Sequence, residues 1–304
     1  MKKLSILLLL LPVICYGQQN LPAGINFSFS KGTEQEAKKI NKKFVRVNEE
    51  DGYVDYKLPV FSIFGVANMN QDALKNFNAG GKASIAVRPW MKPKQDSQKN
   101  IINALAIYAS FNKSASNNDS IVHSKLIFPE LGSNAFTGTL QWERYSISKG
   151  GKLYSHSVFV EMAVKSIKAD SGVKKQSLTF DALNYTFGYR YGCDYILDNT
   201  FEKGKKLNLG FYFSPFLSAY NIPDEDRSDY KKIMLANATL TGNGDDLSDF
   251  VVNFGVKTGF HVNGLNFFAD MRHVFGDSKV PVRELKGFHI NVGFVFNADV
   301  LNFY

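Results

Sequence analysis

The sequence has only two cysteines, Cys15 and Cys193. Cys15 lies in an N-terminal stretch that reads as a cleavable leader, so the mature chain keeps one thiol and an intramolecular disulfide is excluded. Proline is sparse at nine residues, and no Pro- or Ser-rich linker divides the chain. No repeat of solenoid length is present. Beyond the leader no apolar run reaches the ~18 residues a membrane-spanning helix requires. Polybasic blocks are absent, which weighs against nucleic acid as a partner. The G-x-S-x-G and H-E-x-x-H motifs of hydrolases and zinc proteases are also missing.

What is present begins with "MKKLSILLLLLPVICYGQQN". Lys2 and Lys3 form a basic start, Leu4 to Val13 an apolar stretch, and Cys15-Tyr16-Gly17 places small residues at the positions a signal peptidase reads. The expectation is a signal peptide over 1–17 with cleavage before Gln18. Lipidation of Cys15 is the weaker alternative, because Ile14 stands where Gly, Ala or Ser is usual. Loss of two lysines lowers the net charge from +8 to +6. The remaining residues, 18–304, are expected to form a single domain.

The chain holds 26 Phe and 14 Tyr, arranged in alternating runs. In "KGFHINVGFVFNAD", Phe288, Ile290, Val292, Phe294 and Phe296 alternate with His289, Asn291, Gly293 and Val295, the period of a β-strand with one oily face. "FVVNFGVKTGFHV" sets Phe250, Val252, Phe254, Val256 and Phe260 against Asn253, Gly255, Lys257, Gly259 and His261. Asn263-Gly264 is a hairpin signal between it and "LNFFADMRHVF". Twelve such strands are expected, at about 24–30, 43–48, 53–66, 83–90, 101–111, 138–147, 153–166, 177–191, 206–219, 250–261, 265–275 and 286–297. The stretch at 101–111 is apolar on both faces and also suits a short helix. "GTEQEAKKINKK" and "NQDALKNF" suit loop helices.

Strand length separates a soluble sandwich from a bilayer barrel. Soluble strands run about five to six residues, whereas a tilted bilayer-crossing strand needs about nine to eleven. Strands from 153 onward reach the greater length. Their second face carries Gly, Asn and charge, as in barrels with an apolar outside and a polar lumen. The fold class expected is all-β, an antiparallel transmembrane barrel of about 12 strands (range 10–14). Alternating loop lengths put segments 67–82, 112–137 and 220–249 outside and the turns at 49–52, 149–152 and 263–264 on the periplasmic side. The connection 192–205 is long for that side.

In this patterning the chain resembles the uncharacterised outer-membrane β-barrel proteins of Gram-negative bacteria, and in its Asn/Lys/Phe/Tyr-rich style those of the Bacteroidota. The resemblance implies outer-membrane location, contact with outer-membrane lipid and recognition by the barrel-assembly machinery. It also implies a last strand ending in an aromatic residue. Tyr304 fits, although Asp299 and Asn302 interrupt the alternation before it.

Strand alternation assigns Glu161, Lys165, Arg190, Lys257, Asp270 and Arg272 to the lumen, with His261 and His289. Lys257 and Asp270 lie close to cross-strand register, within reach of a direct or diagonal pair. These charges either plug the barrel by ion pairing, the favoured reading, or line a pore. His261 and His289, with Asp270 and Ser214 nearby, allow a barrel enzyme acting on lipid or peptide as an alternative. A soluble periplasmic β-sandwich that binds a ligand is the third. Asp224, Glu225 and Asp226 suggest a solvated acidic loop before a calcium site. No catalytic residue, metal or cofactor is assigned. The expected role is structural or small-solute transport.

Overall fold

The computed structural model describes residues 26–30, 44–49, 52–58, 60–72, 77–95, 99–114, 122–128, 134–148, 152–170, 177–198, 206–237, 247–262, 265–275 and 285–303. Residues 1–17, expected as a signal peptide, the 32–43 stretch, Asn263-Gly264 and Tyr304 lie outside them.

Three short strands come first: β1 (Asn26–Ser30), β2 (Phe44–Glu49) and β3 (Gly52–Lys57). They form an antiparallel sheet of their own in the order β1-β3-β2. Ten longer strands follow: β4 (Phe61–Asp72), β5 (Phe77–Gln95), β6 (Lys99–Ser114), β7 (Asn134–Ser148) and β8 (Lys152–Asp170). β9 (Ser177–Asp198), β10 (Lys206–Asn221), β11 (Phe250–Val262), β12 (Leu265–Val274) and β13 (Gly287–Phe303) complete the set. Each pairs antiparallel with its chain neighbour, and β13 returns to pair with β4, closing an up-and-down barrel without a free edge.

The barrel therefore has ten strands, at the low end of the expected ten to fourteen. The run 53–66 is two strands, broken around Pro59, whose nitrogen has no hydrogen to give a ladder. Only its second half enters the barrel, so the 49–52 turn belongs to the small sheet. The expectation of a long loop over 67–82 is corrected: β4 and β5 occupy all of it except 73–76. A helix over "NQDALKNF" is thereby excluded at both of its ends. Asn, Gly and Ala in this stretch carry no apolar alternation, but a strand paired on both sides is held by its backbone. The 101–111 stretch is strand, its inward positions filled by Ala104 and Ala106 and its outward ones by Ile107 and Phe111. The long connection at 192–205 shrinks to 199–205, because β9 runs on to Asp198.

Two β-bulges interrupt the ladders. One spans Val87 to Trp90 around Pro89, where a ladder hydrogen bond is unavailable. The other lies between Asp299 and Leu301, where the sequence alternation also breaks.

Among the described residues two helices occupy the end of the barrel with the longer connections: α1 (Val122–Ile127) between β6 and β7, and α2 (Arg227–Asn237) between β10 and β11. Leu126, Ile127 and Phe128 are fully buried and share one apolar cluster with Tyr230, Ile233 and Met234 of α2 and with Phe180 and Ile167 of the barrel wall. The rings of Phe180 and Tyr230 meet edge-on at 5.3 Å. Burial pushes the Tyr230 hydroxyl up to about 12, and it donates to the Ser248 carbonyl at 3.2 Å.

Candidate functional site: a filled and plugged lumen

Alternation along each barrel strand sends one set of side chains outward and one inward. On β11, Phe250, Phe254 and Phe260 are exposed while Val251, Asn253 and His261 are buried. On β9, Tyr185, Phe187 and Tyr189 are exposed while Asn184 and Thr186 are buried. Outside is apolar and inside is polar, the reverse of a soluble domain. Among the described residues no helix is long and apolar enough to cross a membrane.

Below the long-loop end, the C-terminus of α1 enters the lumen. A helix end leaves carbonyl oxygens without amide partners and carries partial negative charge. Lys165 of β8 donates from Nζ to the carbonyls of Lys125 (3.0 Å) and Leu126 (3.3 Å). Asn184 of β9 donates to the Leu126 carbonyl at 3.4 Å, and Arg272 of β12 donates from Nη1 to the Ile127 carbonyl at 2.6 Å. The Arg272 guanidinium also lies over the rings of Phe128 (5.1 Å) and Phe216 (4.6 Å). Two consecutive strands, β8 and β9, and the distant β12 thus hold one short helix by its carbonyl end.

Asp270 neutralises Arg272 through two hydrogen bonds, Nε to Oδ1 at 2.9 Å and Nη2 to Oδ2 at 2.8 Å. Lys257 and Asp270 stand directly opposite in register; the Asp270 carboxylate holds Arg272, and Lys257 sets its ammonium 4.6 Å from the centre of the Phe268 ring. A planar guanidinium matches both carboxylate oxygens at once, which an ammonium does not.

Large interior rings rest on interior glycines. A Cβ on Gly255 would collide with Phe216, one on Gly188 with Phe159, and one on Gly259 with Tyr212. Small residues opposite large ones fill the narrow interior of a ten-stranded barrel. Arg190 lies over the Phe159 ring at 5.6 Å, and Glu161 accepts from Thr139 Oγ1 at 3.1 Å. His289 sits on the inward face of β13, opposite Arg272 in register.

Nearer the short-turn end, two groups were not singled out from the sequence. The first is Arg88 with Glu143: Arg88 Nε donates to Oε2 at 3.0 Å and Nη2 to Tyr108 Oη at 3.1 Å. Tyr108 in turn donates to Glu143 Oε1, which also accepts from Gln141 Nε2 at 3.2 Å. Both charges are buried, and wall residues satisfy them in the bonds named. The second joins Asp194 and His261, whose Oδ1 and Nε2 lie 2.5 Å apart. They sit on β9 and β11, and Gly210 of the intervening β10 lies in register with both. Any side chain there would occupy the space in which they meet.

The eight residues selected from the sequence do not form one cluster. Lys165 and Arg272 bond α1 directly, Asp270 holds Arg272, and Lys257 and His289 stand beside that pair in register, whereas Glu161 and Arg190 line other parts of the wall and His261 lies toward the opposite end. His261 Nδ1 has no hydrogen-bond partner among the described residues, and Ser214 Oγ donates to the Tyr189 carbonyl at 3.0 Å. The dyad therefore has no nucleophile attached to it. Asp224, Glu225 and Asp226 form a 3-10 turn, in which Asp224 pairs with Arg227 (2.8 Å) and Asp226 accepts from the Asp181 amide (3.2 Å). Among the described residues no group of three or more metal-ligating side chains converges.

No family model matches the chain, and no curated protein does. Among solved structures it aligns with the beta domain of the Bordetella autotransporter BrkA at 7% identity, covering 78% of this chain and 99% of that one, with a TM-score of 0.38. It also aligns with the transport unit of the autotransporter AIDA-I from Escherichia coli at 10% identity, covering 78% and 74%, with a TM-score of 0.23.

Proposed function

We propose that the protein is an outer-membrane β-barrel with a structural or gated small-solute role, its lumen closed in the described state by α1. The observation that carries this is the inversion of the barrel. Exposed aromatic and aliphatic side chains stud β5 to β13, while Arg88, Glu143, Lys165, Asp270 and Arg272 are buried inside. An apolar exterior of this extent is costly in water and favourable in lipid. An interior packed with rings on glycines and sealed by α1 favours closure over an open pore. Transport then requires displacement of α1, whose described bonds to the wall lie at its carbonyl end.

Fractionation tests the location. The mature chain is expected in the outer membrane, resistant to high salt and carbonate, and to migrate differently on a gel before and after boiling. Recovery in the soluble periplasmic fraction contradicts it.

A further inference from the structure

We infer that the lumen below the plug binds a small oxyanion, phosphate or carboxylate, with the Arg190 guanidinium as its principal ligand. This rests on the barrel reading above and names the class of solute its interior takes.

Arg190 points inward from β9 and keeps partial access to the lumen. Its Nε is buried and donates to nothing among the described residues, and no carboxylate among them pairs with it. A guanidinium stays charged at every physiological pH, and holding one in a water-poor interior without a counter-charge is costly. An anion offsets that cost. The planar fork of donors fits two oxygens of a phosphate or carboxylate at once.

Register fixes what surrounds the guanidinium. On one side Ser157 of β8 stands directly opposite Arg190 and supplies a hydroxyl, and Ser155 stands opposite Gly192. On the other side Tyr212 and Ser214 of β10 face inward, and Ser214 lies in register with Lys257 of β11. The Arg190 guanidinium and the Lys257 ammonium both lie close enough to the buried Tyr212 hydroxyl to act on it electrostatically. Two strands separated by one thus aim their cations at the same part of the lumen. The acids across this row are committed to other arginines: Glu143, opposite Ser157, holds Arg88, and Asp270, opposite Lys257, holds Arg272.

A layer of rings sets the guanidinium in place. Arg190 lies over Phe159 at 5.6 Å, and that ring rests on Gly188, the next inward position toward the long-loop end. Phe216 on Gly255 continues the layer as far as Arg272. Phe159 stands between Ser157 and Glu161 on the inward face of β8, so Glu161 and Lys165 lie beyond the rings, on the side of α1. A cation held against a ring keeps its edge free for a ligand.

The test is equilibrium dialysis of labelled inorganic phosphate, and separately of labelled acetate, against the folded mature chain in zwitterionic detergent at fixed ionic strength. Wild type and Lys165→Ala are measured together, so that a shut plug is told apart from an absent site. Saturable binding is expected, equal in both or stronger in Lys165→Ala if α1 limits entry. The ratio of phosphate to acetate affinity identifies the oxyanion preferred. Arg190→Gln should weaken binding by roughly tenfold or more, the weight of one charge-assisted hydrogen bond. Arg190→Lys should fall between, because it keeps the charge and loses the fork. Lys113→Gln with Lys168→Gln, exposed on the outside toward the long-loop end, should leave binding unchanged. The midpoint of the heat-induced gel shift should hold or rise in Arg190→Gln, whereas a merely structural arginine would lower it. No saturable binding of either anion by wild type and Lys165→Ala overturns the inference, and so does undiminished binding by Arg190→Gln. A barrel that shifts on heating but binds neither anion removes the site alone. A chain that does not shift removes the barrel reading, and the site falls with it.

Discussion

Arg272 and Asp270 stand two residues apart on the same face of β12 and share two hydrogen bonds, leaving Nη1 of the arginine for the Ile127 carbonyl. One guanidinium thus neutralises a buried carboxylate and holds the plug. Arg272→Ala should leave Asp270 buried without its counterion and cost about 3–5 kcal/mol. The midpoint of the heat-induced gel shift should fall accordingly. An unchanged midpoint would mean that Asp270 is neutral or reaches water.

Lys165 holds α1 through the carbonyls of Lys125 and Leu126. Lys165→Ala should loosen the plug more than the barrel. In planar bilayers wild type should be nearly silent, and Lys165→Ala should show frequent openings with little loss of barrel stability. Silence from both variants, Lys165→Ala and Arg272→Ala, would mean that the lumen is closed by its own side chains below α1.

The two faces of β13 predict opposite sensitivities. Val292 is exposed on the outer face, and Val292→Arg should cost about 2–4 kcal/mol if that position lies near the bilayer midplane. Asn291, next to it, is buried, and its amide has no hydrogen-bond partner among the described residues. Asn291→Ala should be nearly neutral by the same unfolding measurement. Asn291→Arg should not be, because the interior there is filled.

Much of the barrel was legible because alternation is a local property. Phe250 to Phe260 and Phe288 to Val292 announce which side is oily, and their polar partners Lys257, His261, Asp270 and Arg272 follow at once. β1 to β3 carry the same pattern, and only their length of five or six residues separates them from barrel strands of ten to 22. Arg88 escaped notice because the bulge at Pro89 breaks the alternation of β5 just beyond it. Glu143 was readable as the inward neighbour of Trp142, and Asp194 as the inward successor of Arg190 on β9. The plug was hidden differently. A loop's path is set by long-range contacts, and the only local hint was the apolar run Leu126-Ile127-Phe128 inside a polar segment.

Glycines of the barrel wall should be intolerant where rings cover them and tolerant where nothing does. Gly255→Val should cost about 1–3 kcal/mol by forcing the Phe216 ring aside. At Gly138 nothing lies within 4 Å of an added Cβ, and Gly138→Ala should be neutral or stabilise by up to about 1 kcal/mol. Comparing their denaturation midpoints with wild type checks both. Equal effects would mean that Phe216 does not rest on β11.

The placement of the outer face in lipid is tested most directly by the chain's own two tryptophans. Trp90 and Trp142 are both exposed on the outside of the barrel, at 46% and 40%. In vesicles of lipids brominated along the acyl chain, their fluorescence should be strongly quenched, while aqueous iodide should quench it little. Strong quenching by iodide with none by brominated lipid would place the aromatic exterior in water and contradict the account.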